Sequence, residues 1–427
     1  MTTAETSRPP GGAFAALSSR SYRIYLAGQS LANTGTWMQA IAQDWLIFDL
    51  TRSSTAVGVT MALQFLPMLL FGLYAGAVAD RVPKRRILLT TQLLNAAATA
   101  TLAALTVAGV AKAADVYAFA LVSGMIYAFD VPARQSFVTE VVPAASLRAA
   151  ISLTAAVFQA TRLIGPAVAS LLIVSVGTGW VFAVNAACYL GPTVGLLMLR
   201  PADLRPAPAP AAGSGRGTVR EAVRYVRGRP DLRWTIFLVG MLGTFGLNFP
   251  VVLTAMAKSV FGGTASTYGL FNIVLGLGSA AGAVLAGAGS RPRTRTIVGA
   301  AAVFGLLQAA AALAPGLAVF LALLAAMGFV NLVCQAMANA SVQLAVDPVL
   351  RGRVMGLYML VFIGGTPVGA PLVGAVTSHY GARAGMLLCG AVPAAAAAVV
   401  AAALSARRRR DRAEVTSLAG AAAYQSV

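Results

Sequence analysis

Twelve predominantly apolar stretches, separated by short polar connections, set the pattern of this chain. Their expected bounds are 22–48, 54–79, 87–109, 116–138, 149–174, 179–199, 233–256, 266–289, 296–314, 317–345, 354–377 and 382–405. Each is near or above the roughly 20 residues that a helix needs to cross about 30 Å of hydrocarbon. The pattern predicts an all-α integral membrane fold of twelve transmembrane helices.

The longest break in the pattern is PADLRPAPAPAAGSGRG, a Pro/Ala/Gly tract that buries nothing and parts six spans from six. The expected organisation is a flexible terminus 1–20, a six-helix bundle 21–200, a linker 201–231, a second bundle 232–406 and a basic tail 407–427. The start of the chain carries no short apolar segment with a cleavage site and is expected to be retained. Past the tract, Val219, Val223 and Val226 recur at helical spacing beside Arg220, Arg224 and Arg227. That is an amphipathic helix, read either as lying on the membrane surface or as a solvated basic linker. Weak repetition relates the halves: STAVG ends 23 residues before Arg81, and STYG ends 22 residues before Arg291.

Polar residues within the spans fall on stripes. The first span aligns Gln29, Asn33, Thr36, Ala40 and Gln43, with Trp37 and Asp44 alongside. So many hydrogen-bonding groups do not suit lipid, so they are expected to line a central cavity in which Trp37 offers a flat apolar surface. The tenth span carries Asn331, Gln335, Asn339 and Gln343, amides without a charge. Ser123, Tyr127, Asp130 and Arg134 share a face of the fourth span, and Ser152, Ala155, Gln159, Arg162 and Gly165 a face of the fifth. Tyr127 and Gln159 join the expected cavity lining.

Ionisable groups in hydrocarbon are costly and mark function or fixed pairing. Asp130 is expected about 12 Å, and Arg162 about 20 Å, from the same membrane face. The expectation is a cluster holding Asp130 between Arg134 and Arg162, which either exchanges a proton when it opens or only fixes helix packing. Asp44, about one turn from the opposite end, is open to proton binding or to surface snorkelling. His379 is expected at that interface. Cys188, Cys334 and Cys389 read as small apolar residues, with no metal site and no cofactor expected.

Composition agrees: 58% of the 427 residues are hydrophobic and 11% charged. The formal charge of +19 raises the question of a nucleic-acid partner, and its placement answers it. Of the 32 Lys and Arg residues, 26 lie in alternate connections on one side; Arg52, Lys112, Lys258 and Arg383 lie on the other. The positive-inside rule then places both termini in the cytoplasm, with no nucleic acid expected.

The densest basic turn is GAVADRVPKRR, between the second and third spans. Its Gly76, Asp80, Arg81, Arg85 and Arg86 resemble the loop signature of major facilitator superfamily transporters. RLIGPAVAS in the fifth span, with Gly165 and Pro166, resembles the Gly-Pro motif of drug/proton antiporters in that superfamily, although Ala169 and Ser170 stand where glycines are more frequent. With NTGTWMQAIAQDWLIFDLTRSSTAVG, DVPARQSFV and REAVRYVRGRPDLR, the chain resembles, over residues 20–405, the bacterial branch that includes the enterobactin exporter and macrolide efflux proteins.

The resemblance implies two six-helix bundles around a central substrate site and proton-driven export by alternating access. The substrate is then a small amphipathic or hydrophobic compound, with uptake or a lysolipid-like cargo as the alternative. Asp130, Arg134, Arg162 and Asp44 are the candidates for proton coupling, and Asp80 with Arg81 for docking the loop against helix ends in one conformation. The partners are the substrate, protons and the bilayer; a monomer in the plasma membrane is expected. A nucleotide-driven pump or membrane enzyme would need a GxxxxGK[ST] loop or spaced His/Cys ligands, which the sequence lacks.

Overall fold

The computed structural model describes residues 15–200, 219–287 and 293–425. Most of the expected flexible terminus, the Pro/Ala/Gly tract and Arg291 lie outside the described residues. Among these residues the regular elements are helices: α1 (Arg20–Thr51), α2 (Ser54–Arg81), α3 (Lys84–Val107), α4 (Ala113–Val141), α5 (Leu147–Val176), α6 (Thr178–Cys188), α7 (Leu190–Met198), α8 (Val219–Gly228), α9 (Pro230–Met241), α10 (Phe249–Ala255), α11 (Ala265–Gly287), α12 (Thr294–Ala312), α13 (Leu317–Ala345), α14 (Pro348–Gly364), α15 (Thr366–Tyr380) and α16 (Ala382–Gln425).

Eleven helical stretches among the described residues are long and apolar enough to cross a membrane, and α1 completes the twelve. It is less apolar than the others because its stripe is polar, yet Gln29, Asn33, Gln39, Gln43 and Asp44 are all buried. Neighbouring helices supply partners to Asn33, Gln39 and Asp44, so a polar helix can still stand in lipid.

Local chemistry sets the helix ends. Ser19 and Ser53 cap α1 and α2 by accepting from the backbone N–H of Tyr22 and Ala56. Arg52 closes α1 at φ 53°, its N–H returning to the Phe48 carbonyl. Three crossings expected as single helices are jointed. α6 meets α7 at Tyr189, α14 meets α15 at Gly365, and α9 reaches α10 through a π-helical turn, Leu242–Gly246. Asn248 caps that turn by donating to the carbonyls of Thr244 and Phe245.

The chain packs as two compact units. The first takes in residues 15–200, 249–277 and 366–385. Its core near the basic turn is built on Tyr22, Phe137, Leu196 and Leu199, with the Tyr22 hydroxyl donating to the Ala150 carbonyl at 2.8 Å. Toward the charge-poor end α2 lies directly on α15. A side chain at Gly58 would overlap the Ala370 backbone, and one at Gly374 would come within 2.6 Å of the Ser54 carbonyl. Such backbone contact is how helices associate in lipid.

The second unit takes in residues 219–248, 278–287, 293–365 and 386–425. Of the two readings of the amphipathic helix, α8 does not take the membrane-surface one: Ala222 and Val226 are buried in the protein, while Arg220, Arg224 and Arg227 are exposed. Polar ties fix it, with Tyr225 donating to Asp347 at 2.9 Å and Arg353 to Glu221 at 2.8 Å. Apolar side chains on so short a helix are covered more completely by α14 than by an interface.

Candidate functional site

One polar network ties three helices of the first unit. Asp130 on α4 is 1% exposed and ion-paired with Arg134, one turn on. Its other oxygen accepts from Thr91 Oγ1 at 2.8 Å and Gln92 Nε2 at 3.4 Å, both on α3. Arg134 also donates to Asn33 Oδ1 at 3.4 Å, which accepts from Gln29 at 2.9 Å on α1. Burying a charge is tolerable only with this degree of pairing.

Arg162 stays out of the network. The expected Arg134–Asp130–Arg162 cluster is replaced by Arg134, Thr91 and Gln92, while the Arg162 guanidinium lies 5.5 Å from the centre of the Trp37 ring. Backbone approach is the reason. A side chain at Gly165 would collide with Trp37, so α5 meets α1 closely there and sets Arg162 on the indole. Phe158 adds an edge contact to Trp37, 5.7 Å between centroids. Pro166 withholds a helical donor, and Ser170 Oγ donates to the Pro166 carbonyl at 2.6 Å.

A second layer lies further along α1. Gln39 Oε1 accepts from Asn185 Nδ2 and from Thr99 Oγ1, and Thr36 pairs with the Tyr189 hydroxyl at 3.3 Å. Gln159 is half-buried and Tyr127 exposed, neither in the network. Sequence reasoning missed Thr91, Gln92, Thr99, Gln39, Asn185 and Tyr189. Their partners lie on other helices, a signal that single-helix stripes pass over.

At the charge-poor end Asp44 is buried rather than snorkelling. It is 6% exposed and accepts from the Tyr268 hydroxyl at 2.8 Å. No cation contacts it among the described residues; the nearby Lys258 ammonium lies over the Trp45 ring instead, at 5.3 Å. Ser378 receives Thr55 N–H and Oγ1, both at 3.1 Å. His379 is exposed at the end of α15.

The basic turn docks through different residues than expected. Lys84 pairs with Glu140 at 3.1 Å, and Arg85 donates to the Leu196 and Leu197 carbonyls at 2.8 and 3.4 Å, capping α7. Asp80, Arg81 and Arg86 are exposed, and their side chains hold no described partner; the space around Gly76 is open. In the second unit Gln335 donates to Asn331 at 2.9 Å, and Gln343 to Asn339. A cavity of about 510 Å³ between α12 and α16, lined by Val298, Ala302, Leu306, Ala397 and Ala401, contains none of these groups.

Twelve crossings with their costly polar groups turned inward on several helices define a polytopic carrier. The model of the family described as transmembrane secretion effector matches residues 11–422. The chain belongs to that family, has the major facilitator fold and is a membrane transporter.

Among relatives, the multidrug efflux pump Tap of Mycolicibacterium fortuitum is 28% identical over 83% of this chain and 89% of its own. The staphyloferrin A transporter of Staphylococcus aureus is 22% identical over 60% of this chain; the match spans 64% of that relative, under two thirds of its length. Among solved structures, an inward-facing, unoccupied bacterial homolog of the human lysosomal transporter Spinster superposes with TM-score 0.69 at 15% identity, over 90% of this chain and 96% of that one. A POT family transporter gives 0.70 at 11% identity, over 90% and 96%. These structures speak to fold alone.

Proposed function

We propose that the protein exports a small amphipathic or hydrophobic compound across the plasma membrane in exchange for protons. Two six-helix bundles divided by the 201–231 linker alternate the access of the substrate from one membrane face to the other, with both termini in the cytoplasm and the chain acting as a monomer. Direction is taken from the efflux-pump relatives. Proton coupling rests on one observation: Asp44 is buried against a hydroxyl, with no cation in contact among the described residues. Such a carboxyl can exchange a proton without breaking an ion pair, whereas Asp130 would have to leave Arg134.

Asp44 also sits where segments far apart in sequence close the charge-poor end of the first unit. Opening that end separates Asp44 from Tyr268, Lys258 from Trp45 and Thr55 from Ser378. Water then reaches Asp44 and proton exchange follows. Asp80, exposed in this state, is free to engage in the other one.

The test is transport in proteoliposomes under an imposed proton gradient, with a panel of anionic, neutral and cationic amphipathic dyes. The wild type accumulates at least one dye against its gradient. Asp44→Asn loses gradient-driven accumulation but keeps dye-for-dye exchange. A wild type indifferent to the proton gradient, or an Asn variant still driven by it, refutes the reading.

A further inference from the structure

Arg162 is the sixteenth of the thirty residues of α5, about 22 Å from either helix end, too deep for its side chain to reach an interface. Its direction follows from the helix. Ile164 and Leu171, 51% and 73% exposed, mark the outer face of α5. Arg162 lies about 200° and 180° around the helix from them, on the opposite face.

Two packed helices flank that face. On one side α5 meets α1 at Gly165; on the other it meets α11, where Gly269 abuts Ser170 and Gly276 abuts Leu163. Arg162 therefore points inward between α1 and α11. Arg134 is matched by Asp130 and Lys84 by Glu140, whereas Arg162, deep in its helix, has no acidic partner among the described residues. Trp37 covers one face of the guanidinium, leaving its N–H edge, a planar fork of donors suited to a carboxylate, sulfonate or phosphate. Beside that fork stand the Trp37 and Phe158 rings.

We infer that Arg162, Trp37 and Phe158 form the recognition point for an organic anion, a small molecule joining an aromatic or apolar body to one acidic group. The anion supplies the counter-charge that the fold omits, and the rings take the apolar body. This rests on the reading of the chain as a carrier of small amphipathic compounds and narrows that class.

The experiment uses full-length protein in detergent and three probes with one ring system: 2-naphthalenesulfonate, 2-naphthalenemethanol and 2-naphthyltrimethylammonium. Quenching of Trp37 is followed with Trp45, Trp180 and Trp234 changed to Phe. The sulfonate binds tightest to this protein. Arg162→Gln weakens it about tenfold or more and leaves the alcohol unchanged, while Arg162→Lys falls between. Without probe, the Gln variant melts no lower than its parent, because an unmatched charge has been removed; a purely structural arginine would lower it.

No sulfonate binding, no preference for it over the cation, or equal affinity in the Gln variant overturns the inference. Should Arg162→Gln not fold, the probe ranking in the parent and the Lys variant decide. Binding does not depend on transport direction or proton drive. Charge-selective binding without gradient-driven transport removes the exporter reading and leaves this site standing, and the converse result does the reverse.

Discussion

The α1 stripe of the first half and the α13 stripe of the second half begin from the same motif and end differently. Gln29 bonds Asn33, and Gln335 bonds Asn331, each at 2.9 Å and four residues apart. In the first half Asn33 also accepts from Arg134, whose ion pair with Asp130 brings in Thr91 and Gln92. In the second half the amides are satisfied along their own helix. A buried charge recruits partners from other helices because its desolvation must be offset, while the Asn331–Gln335 amides find a partner a turn away. At the Gln29–Asn33 end of α1, charge adds a tie between helices.

Breaking that tie should give the largest effect. Arg134→Ala leaves Asp130 charged and buried with hydroxyl and amide partners only, at a cost of about 3–5 kcal/mol. Asp130→Asn combined with Arg134→Gln removes both charges and returns most of the loss. Melting in detergent checks this: the single variant unfolds far below the wild type and the double variant lies close to it. A single variant as stable as the double would mean that the ion pair does not distinguish the halves.

Much of this architecture is legible in the sequence. Apolar run length is a one-dimensional signal, so the twelve crossings could be read to within a few residues, and α1 was recognisable by its stripe although its mean hydropathy is low. The site is less legible. Asp130 with Arg134 could be read because both lie on one helix, four residues apart. Thr91, Gln92 and Asn185 reach the site from other helices, and nothing in their own segments announces that. Arg162 shows the limit most clearly. Depth along the helix suggested Asp130 as a partner, but rotation about the helix, fixed by Gly165 against Trp37, sends its side chain elsewhere.

The basic turn extends the comparison with a smaller effect. Lys84 and Glu140 are 12% and 13% exposed, so Lys84→Ala should cost about 1 kcal/mol and lower the melting temperature modestly. Asp80→Asn, at an exposed residue without a described partner, should leave melting unchanged and slow transport if the carboxylate serves the other conformation. Equal destabilisation by the two variants would place Asp80 in the docking contact after all.

The finest test compares the amide pairs. Asn331→Leu with Gln335→Leu removes donor and acceptor together, and among the described residues this pair makes no tie to another helix that would be lost. The change in stability should stay within about 1 kcal/mol, since replacing both partners by apolar groups is close to neutral. Gln29→Leu with Asn33→Leu is the same alteration on paper, yet it strips Arg134 of an acceptor. Arg134 Nε already lacks a hydrogen-bond partner, so a further loss leaves the guanidinium held by Asp130 alone. The first-half double variant should therefore melt clearly lower than the second-half one. Equal melting temperatures would show that Asn33 is incidental to the network and that the two stripes differ in sequence neighbourhood but not in the work they do.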